Sequence, residues 1–279
     1  MNNKSLPIGF MQGRLSDIVN NRIQSFPFDN WKNEFEIASK NNFNIVEWTI
    51  DSIDIFKNPL LNQNQHIEIL KLKRKHCIEI PSVTCDFFME NPFFKLNKSD
   101  KKKQEKLLIN VLENCSKLKI KMAVIPLVDN GSIENNLQEK TLVDFFLYHI
   151  DFFKEKNITI VFESNFKPQY LKKFINKFPD KYFGINYDTG NSASLGYNYK
   201  KEFKCYFNNI KNIHIKDRLF DGDTVPLGEG DAKLIEILNY LLKHNYNGNL
   251  ILQTARDQTR HLEMLCIYRE YIINIMESW

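Results

Sequence analysis

The sequence alternates short apolar runs with longer segments in which apolar residues recur at helical spacing. Eight runs are predicted as strands: Pro7–Arg14, Ile45–Asp51, Ile78–Phe87, Met122–Val128, Ile158–Asn165, Phe183–Asp188, Ile210–Asp217 and Asn249–Ala255. Several are apolar on consecutive residues, as expected for parallel strands buried on both faces. Eight strand–helix repeats in 279 residues favour a closed barrel, which typically needs about 250 residues, over a doubly wound open sheet. We therefore predict an α/β fold, a single (β/α)8 TIM barrel domain over 1–279.

The segments between the runs are predicted to be helices that pack on the barrel. Apolar residues keep a 3.6-residue period in each of them, for example Leu234, Leu238 and Leu241 in one segment and a second stripe over 142–153. This spacing is typical of a helix face packed on a sheet.

Composition gives no sign of a nucleic-acid or membrane partner, of disulfides or of a membrane span. The net charge is only +4, from 38 basic and 34 acidic residues that are dispersed along the chain, so we expect no nucleic-acid or membrane partner. Five scattered cysteines without a CxxC pair predict reduced thiols in a cytoplasmic protein. The first residues contain no apolar core of a signal peptide, and no window approaches 18 continuous apolar residues.

Polar side chains with metal-binding chemistry end four successive predicted strands: Glu163, Asp188, His214 and Gln253. Active sites of (β/α)8 barrels lie at the carboxyl ends of the strands, so these side chains should meet at one mouth. His214 is the one histidine of six that lies within an apolar run. Two carboxylates, an imidazole and an amide oxygen suit one divalent metal ion, Mn²⁺, Co²⁺, Zn²⁺ or Mg²⁺.

Most of the chain, roughly from Ile8 to the last helix, resembles a known family, and the most specific stretch is Asn209–Arg256. Asn209–Arg256 combines a strand-seven His-x-Lys-Asp at 214–217, a Gly-x-Gly loop at 228–230 and an Asn-Tyr-x-Gly turn at 245–248 before strand eight. The Asp-Thr-Gly-Asn turn at 188–191 also matches. These motifs resemble the xylose isomerase-like barrel superfamily, particularly sugar-phosphate isomerases and epimerases related to tagatose and psicose 3-epimerases.

The resemblance implies a metal site and shows a departure. The family holds its metal with a fifth-strand Glu, a sixth-strand Asp, a seventh-strand His and an eighth-strand Glu, which correspond here to Glu163, Asp188, His214 and Gln253. In the epimerases the two Glu also act as acid and base on opposite faces of the substrate. An amide does not titrate near neutral pH, so Gln253 removes one proton-transfer group. Asn191 also stands where several relatives have a His.

The implied function is a divalent-metal-dependent isomerase or epimerase. Its substrate would be a sugar or sugar derivative, including phosphorylated and nucleotide-linked forms, and the reaction a proton transfer next to a carbonyl through an enediolate. Such a reaction needs a base within hydrogen-bond reach and a positive group near the developing oxyanion. Glu163 is the predicted base, and its partner is Lys216, Asp217 or Glu47. Relatives often associate as homodimers or homotetramers.

Three residues near these strand ends have two interpretations each. Lys216 is either a general acid or electrostatic stabiliser, or one half of an ion pair with Asp217. Glu47 either binds substrate hydroxyls or is a structural acceptor in the barrel mouth. Trp48 beside it is expected to pack in the core rather than to stack on a sugar.

Three arginines follow strands one, seven and eight: Arg14, Arg218 and Arg256. Together they would suit a phosphate or carboxylate on the substrate, whereas singly each would serve as a helix cap or ion-pair partner. Gly228 and Gly230 either let the backbone approach a phosphate or form a tight loop before the next helix.

Two other functions fit the same sequence. A catalytically altered or non-catalytic sugar-binding barrel is suggested by Gln253 and Asn191. An endonuclease IV-like nuclease shares the barrel, but that class uses several metals and more histidines than the six present here.

Overall fold

Eight parallel strands close into a barrel. The computed structural model describes residues 6–19 and 21–278. The strands are β1 Ile8–Met11, β2 Val46–Thr49, β3 Ser82–Thr84, β4 Met122–Leu127, β5 Thr159–Ser164, β6 Phe183–Asp188, β7 Ile210–Ile215 and β8 Asn249–Leu252. Each lies within one of the predicted runs, and the predicted (β/α)8 barrel is confirmed.

Each strand pairs with its neighbour in the chain, and β1 closes the barrel by pairing with β8. The closing register joins Gly9 to Ile251 and Phe10 to Leu252. All eight pairings are parallel. The carboxyl ends of all strands therefore open at one mouth, which is where loops can build a site.

Helices surround the barrel. They are α1 Trp31–Lys40, α2 Gln63–His76, α3 Asp86–Glu90, α4 Lys98–Lys117, α5 Asn136–Tyr148, α6 Ile150–Lys156, α7 Pro168–Ile175, α8 Thr189–Ser194, α9 Tyr199–Tyr206, α10 Leu234–Lys243 and α11 His261–Glu277. The stripe over 142–153 is split between α5 and α6 because the backbone leaves the helical conformation at His149 (φ −94°, ψ 14°). Both α5 and α6 still bury apolar side chains.

Aromatic side chains fill the space between the barrel wall and the helices around β5. Phe162 is fully buried and lies within 5.2–5.3 Å, centroid to centroid, of Phe146, Phe174 and Phe178. Its neighbour along the strand, Glu163, points the opposite way because side chains alternate across a strand. The packing of Phe162 therefore fixes the strand that carries Glu163.

Trp48 is also a core residue, as predicted. Its ring is fully buried, contacts Phe26 and Trp31, and donates from Nε1 to the side-chain oxygen of Asn58 at 3.0 Å.

The five cysteines are free thiols. Within residues 6–19 and 21–278, no helix has the length and apolar character needed to cross a membrane.

Replacing Phe162 by Ala should lower the free energy of unfolding by about 3–5 kcal/mol, since it leaves a cavity inside a closely packed aromatic cluster. Phe56→Ala is the control, because Phe56 is 75% exposed and should change stability by less than about 0.5 kcal/mol. Urea unfolding monitored by circular dichroism measures both. Equal effects of the two substitutions would contradict this assignment of the core.

Candidate metal centre

Glu163, Asp188 and His214 meet at the barrel mouth, each near the carboxyl end of its strand. One donor atom from each lies within 4.8 Å of the other two, and all three side chains are buried. Asp188 and His214 are also register partners across β6 and β7. The barrel thus brings these three residues together, and they form a possible site for a metal ion.

His214 is held between two carboxylates. Its Nε2 lies 2.7 Å from Glu47 Oε1, and its Nδ1 lies 3.0 Å from Glu163 Oε2. Burial alone would lower the pKa of His214, but Glu47 and Glu163 outweigh it and raise that pKa to about 10. The position strongly favours positive charge. Since Glu47 engages Nε2, Nδ1 is the nitrogen directed toward the other two candidate ligands.

Glu47, on β2, contacts this cluster through His214 and is inaccessible to solvent. Its Oε2 accepts hydrogen bonds from Ser82 Oγ at 2.6 Å and Asn212 Nδ2 at 3.0 Å, while Oε1 contacts His214. These contacts favour the interpretation of Glu47 as a structural acceptor that orients His214, rather than as a group that binds substrate hydroxyls.

Two asparagines orient Glu163. Asn186 Nδ2 donates to its Oε2 at 2.7 Å, and Asn191 Nδ2 donates to its Oε1 at 2.8 Å. The backbone N–H of Asn191 also donates to Asp188 Oδ1 at 2.8 Å, so the Asp188 carboxylate caps the start of α8. Asn191 therefore fixes the relative positions of two candidate ligands.

Lys216 lies 2.9 Å from Asp188 Oδ2 and is largely buried. The expected alternative, an ion pair between Lys216 and Asp217, is wrong. Neighbouring residues of an extended segment point to opposite sides, and Asp217 instead accepts from the backbone N–H groups of Gly228, Gly230 and Ala232 at 2.9–3.1 Å.

The Gly-x-Gly loop is thus explained by Asp217. The backbone N–H groups of Gly228 and Gly230 donate to the Asp217 carboxylate, and the loop makes a tight turn before α10. Gly228 has φ +92°, a conformation that favours glycine, and a Cβ at Gly230 would lie 2.2 Å from Asp217 Oδ1. The loop's donors are therefore occupied by Asp217 rather than open to a phosphate.

Gly190 allows Lys216 to reach Asp188. A Cβ at Gly190 would lie 2.7 Å from Lys216 Cγ, so the start of α8 rests directly on the lysine's carbon chain. Thr189 adds to this contact, because its Oγ1 accepts from the backbone N–H of Lys216 at 2.9 Å.

Gln253 follows β8 and faces β1. Its Nε2 lies 3.3 Å from the sulfur of Met11, while its Oε1 is buried without a hydrogen-bond partner. A buried carbonyl oxygen without a donor is costly, and a cation would satisfy it.

The donor set fits a divalent cation. Asp188 Oδ2 and His214 Nδ1 are buried and have no hydrogen-bond partner of acceptable geometry, as is true of Gln253 Oε1. Oxygen and imidazole nitrogen ligands without thiolates suit Mn²⁺, Co²⁺, Zn²⁺ or Mg²⁺. Glu47 supplies the carboxylate that commonly supports a metal-binding histidine.

The three arginines do not form one group. Arg14 and Arg256 both donate to the carbonyl oxygen of Ile23, at 2.9 and 3.4 Å. Arg218 donates instead to Asn191 Oδ1 at 3.1 Å and to the Gly222 carbonyl at 2.8 Å. Arg218 therefore belongs with the residues around Glu163, and the other two form a separate pair.

Asn186, Asn212 and Asp86 are site residues that sequence reasoning missed. Asn186 and Asn212 precede Asp188 and His214 by two positions and so share their side of the strand. They join Glu163 to Glu47 through an Asn212–Asn186 hydrogen bond of 2.9 Å. An asparagine inside an apolar strand is disfavoured, and that signal was available in the sequence.

Asp86 begins α3, directly after β3. It is buried, with Oδ1 accepting from Thr84 at 3.1 Å and Oδ2 unpartnered. Burial raises the pKa of Asp86 to about 7, and the Glu163 carboxylate adds to the effect.

Glu34 holds the loop that follows β1. Its carboxylate accepts from the backbone N–H groups of Gly13 and Leu15 at 3.0–3.1 Å and from Ser16 Oγ at 2.8 Å. Burial nevertheless raises the pKa of Glu34 to about 7, although these donors and Arg256 act in the opposite direction.

Comparisons with known proteins identify the family and the fold of the chain. The sequence profile of a family described as xylose isomerase-like TIM barrel matches residues 35–270. The chain belongs to this family. No curated protein matches the sequence at a significant level.

Solved structures share the fold across nearly the whole chain. The IOLI protein with a bound zinc atom has a TM-score of 0.76 at 15% identity, over 98% of this chain and 99% of that one. D-Psicose 3-epimerase with D-tagatose from Clostridium cellulolyticum H10 has 0.76 at 12% identity, over 97% and 99%. The 3-keto-D-glucoside 4-epimerase YcjR from E. coli has 0.69 at 14% identity, over 95% and 100%. The structural neighbours thus include sugar epimerases and a zinc-bound barrel.

The buried Glu34 should make stability fall as pH rises. A carboxyl whose pKa is raised on folding from 4.5 to about 7 stabilises the fold fully below pH 4.5, and that contribution is lost as pH rises through 7. The change is on the order of 3 kcal/mol. Asp86 acts in the same direction, so the wild type is compared with Glu34→Gln by urea unfolding from pH 5 to 8. The variant should show the shallower dependence, and identical slopes would refute the assignment.

Proposed function

We propose that this protein is a divalent-metal-dependent isomerase or epimerase of a sugar or sugar derivative. It would move a proton next to a carbonyl through an enediolate. The observation that carries the proposal is the convergence of Glu163, Asp188 and His214 within 4.8 Å at the barrel mouth. Membership of the xylose isomerase-like family and the epimerases among the structural neighbours support it.

Glu163, Asp188 and His214 would hold the metal, with the carbonyl oxygen of Gln253 as a fourth ligand. A divalent cation there supplies positive charge for the developing enediolate oxygen. Glu163 is the proposed base, since Asn186 and Asn191 fix both of its oxygens and a fixed base needs no reorientation at the moment of proton transfer.

Lys216 is the proposed partner of Glu163. Of the three candidates, Glu47 and Asp217 are inaccessible to solvent and already hydrogen-bonded, whereas Lys216 retains some exposure beside Asp188. Its ammonium group can donate a proton or stabilise an oxyanion. Asn191 and Arg218, which are bonded to one another, are proposed to bind substrate hydroxyls next to the reacting carbon.

The reaction class is tested by proton exchange. With Mn²⁺ in D2O, a panel of keto- and aldo-sugars, sugar phosphates and nucleotide sugars should include one that gains deuterium next to its carbonyl, detected by NMR. Glu163→Gln should reduce that exchange by at least about a hundredfold, the lower range for general acid–base catalysis.

Glu155→Gln is the matched control, because the Glu155 side chain is 70% exposed and pairs with the surface residue Lys156. It should exchange deuterium at the wild-type rate. Full activity of Glu163→Gln would rule out Glu163 as the base, and no exchange into any sugar would count against the reaction class.

A sugar-binding barrel without catalysis is the second candidate, and Gln253 favours it. A neutral amide in place of a carboxylate leaves the site with one negative charge fewer and with no titrating group on β8.

Gln253→Glu distinguishes the two candidates. The added carboxylate should tighten Mn²⁺ binding by at least about tenfold, measured by calorimetry, since hard cations prefer charged oxygen ligands. Gln169→Glu, on the exposed surface of α7, should leave Mn²⁺ affinity unchanged. Exchange in the wild type supports the enzyme, whereas exchange only in Gln253→Glu supports the binding barrel.

A further inference from the structure

Two guanidinium groups lie close together at the mouth of the barrel, where β1 and β8 close it. Arg14 follows β1 and Arg256 follows β8, the two strands that pair to complete the barrel. Both donate to the carbonyl oxygen of Ile23, and Arg256 Nη2 also donates to the carbonyl of Ser16. Burial, together with repulsion by Arg256, lowers the pKa of Arg14 to about 9.

Neither arginine forms a direct ion pair with a carboxylate among the residues that the structure describes. Among residues 6–19 and 21–278, no carboxylate oxygen lies within 4.0 Å of either guanidinium. Arg14 is only 3% exposed. Burying the Arg14 guanidinium without a directly paired anion costs free energy, and the Ile23 carbonyl that it shares with the partly buried Arg256 carries no charge to neutralise either group.

Hydrogen-bond donors without acceptors concentrate at the same strand ends. Arg14 Nε, Arg256 Nε and Gln12 Nε2 are all buried and unpartnered. Gln12 is fully buried and lies two residues before Arg14 on the segment that leaves β1. These three unpartnered donors, together with the two positive charges, suit a ligand that is rich in acceptors and negatively charged.

The acidic groups nearby do not meet this need. Glu34 attracts Arg14 and Arg256 electrostatically, but its oxygens are taken by Gly13, Leu15 and Ser16. Asp86 attracts Arg14 and is bonded to Thr84. Burial raises the pKa of both carboxyls to about 7, so part of their negative charge is lost near neutral pH.

We propose that Arg14 and Arg256 bind an oxyanion carried by the substrate, a phosphate ester or a carboxylate, with Gln12 as an additional donor. Planar guanidinium groups match the oxygen spacing of both anions. The Ile23 carbonyl oxygen now accepts from both arginines, and an oxygen of the bound anion would accept beside it or in its place. This inference rests on the proposed function, because it names a group of the substrate that reacts at the neighbouring metal centre.

Inorganic phosphate and acetate are the probes. Calorimetric titration of the full-length protein, with EDTA and at constant ionic strength, measures binding without metal or turnover. The wild type should bind at least one of the two anions, and Arg256→Met should bind it at least about tenfold more weakly, because a charge-assisted, bidentate contact is lost. Arg256→Lys, which keeps the charge but not the fork, should lie between them.

Arg260→Met is the control, since Arg260 lies four residues along the same segment with its side chain 57% exposed. It should bind the anion as the wild type does. Arg14→Met should lose binding like Arg256→Met, and if it fails to fold, the two Arg256 variants still decide the question.

Binding of phosphate but not acetate assigns the substrate a phosphate ester, and binding of acetate assigns it a carboxylate. Two results overturn the proposal: no binding of either anion by the wild type, or equal binding by the wild type and Arg256→Met. In the second case the arginines serve only to hold the loop, through their hydrogen bonds to the carbonyls of Ser16 and Ile23. The thermal unfolding midpoint of Arg256→Met should then be lower than that of the wild type, and adding the anion should shift both midpoints equally. Anion binding without deuterium exchange into any sugar would instead count against the proposed reaction alone.

Discussion

The pairing of β1 with β8 is the constraint on which the mouth of this barrel depends. It closes the parallel ladder, so that every strand ends at the same rim and no edge is left unpaired. Residues more than two hundred positions apart become neighbours across it, among them Met11 and Gln253. The arginine pair Arg14 and Arg256 requires this closure, since one residue follows β1 and the other follows β8.

Charged groups of both signs lie around this rim in two groups. On the side of β5 to β7, Glu163 contacts His214 and Asp188 contacts Lys216, and Glu47 reaches His214 from β2. Arg14 and Arg256 occupy the side of β1 and β8, with no carboxylate oxygen within 4.0 Å among the described residues. One side thus favours a cation and the other an anion. A substrate with a carbonyl or hydroxyl group at one end and an oxyanion at the other would complement both.

Gln253 lies between these two regions and changes the chemistry that the family resemblance suggests. A glutamate there would add a fourth charged ligand and a second proton-transfer group. The amide keeps the ligand oxygen, which is buried without a partner, but it cannot exchange protons near neutral pH. In the proposed reaction, proton transfer would then rest on Glu163 with Lys216, whose ammonium group lies 2.9 Å from Asp188 Oδ2.

The sequence by itself determined the barrel and three of its candidate ligands, because the apolar runs and the spacing of Glu163, Asp188 and His214 are local patterns that repeat with each strand and helix. It also marked Gln253 as a departure. Only the tertiary structure decided the partners: Lys216 with Asp188 rather than Asp217, Glu47 with His214, and Arg14 with Arg256 rather than Arg218. Such pairings depend on side-chain direction and on contacts between distant strands, and one-dimensional spacing does not encode either.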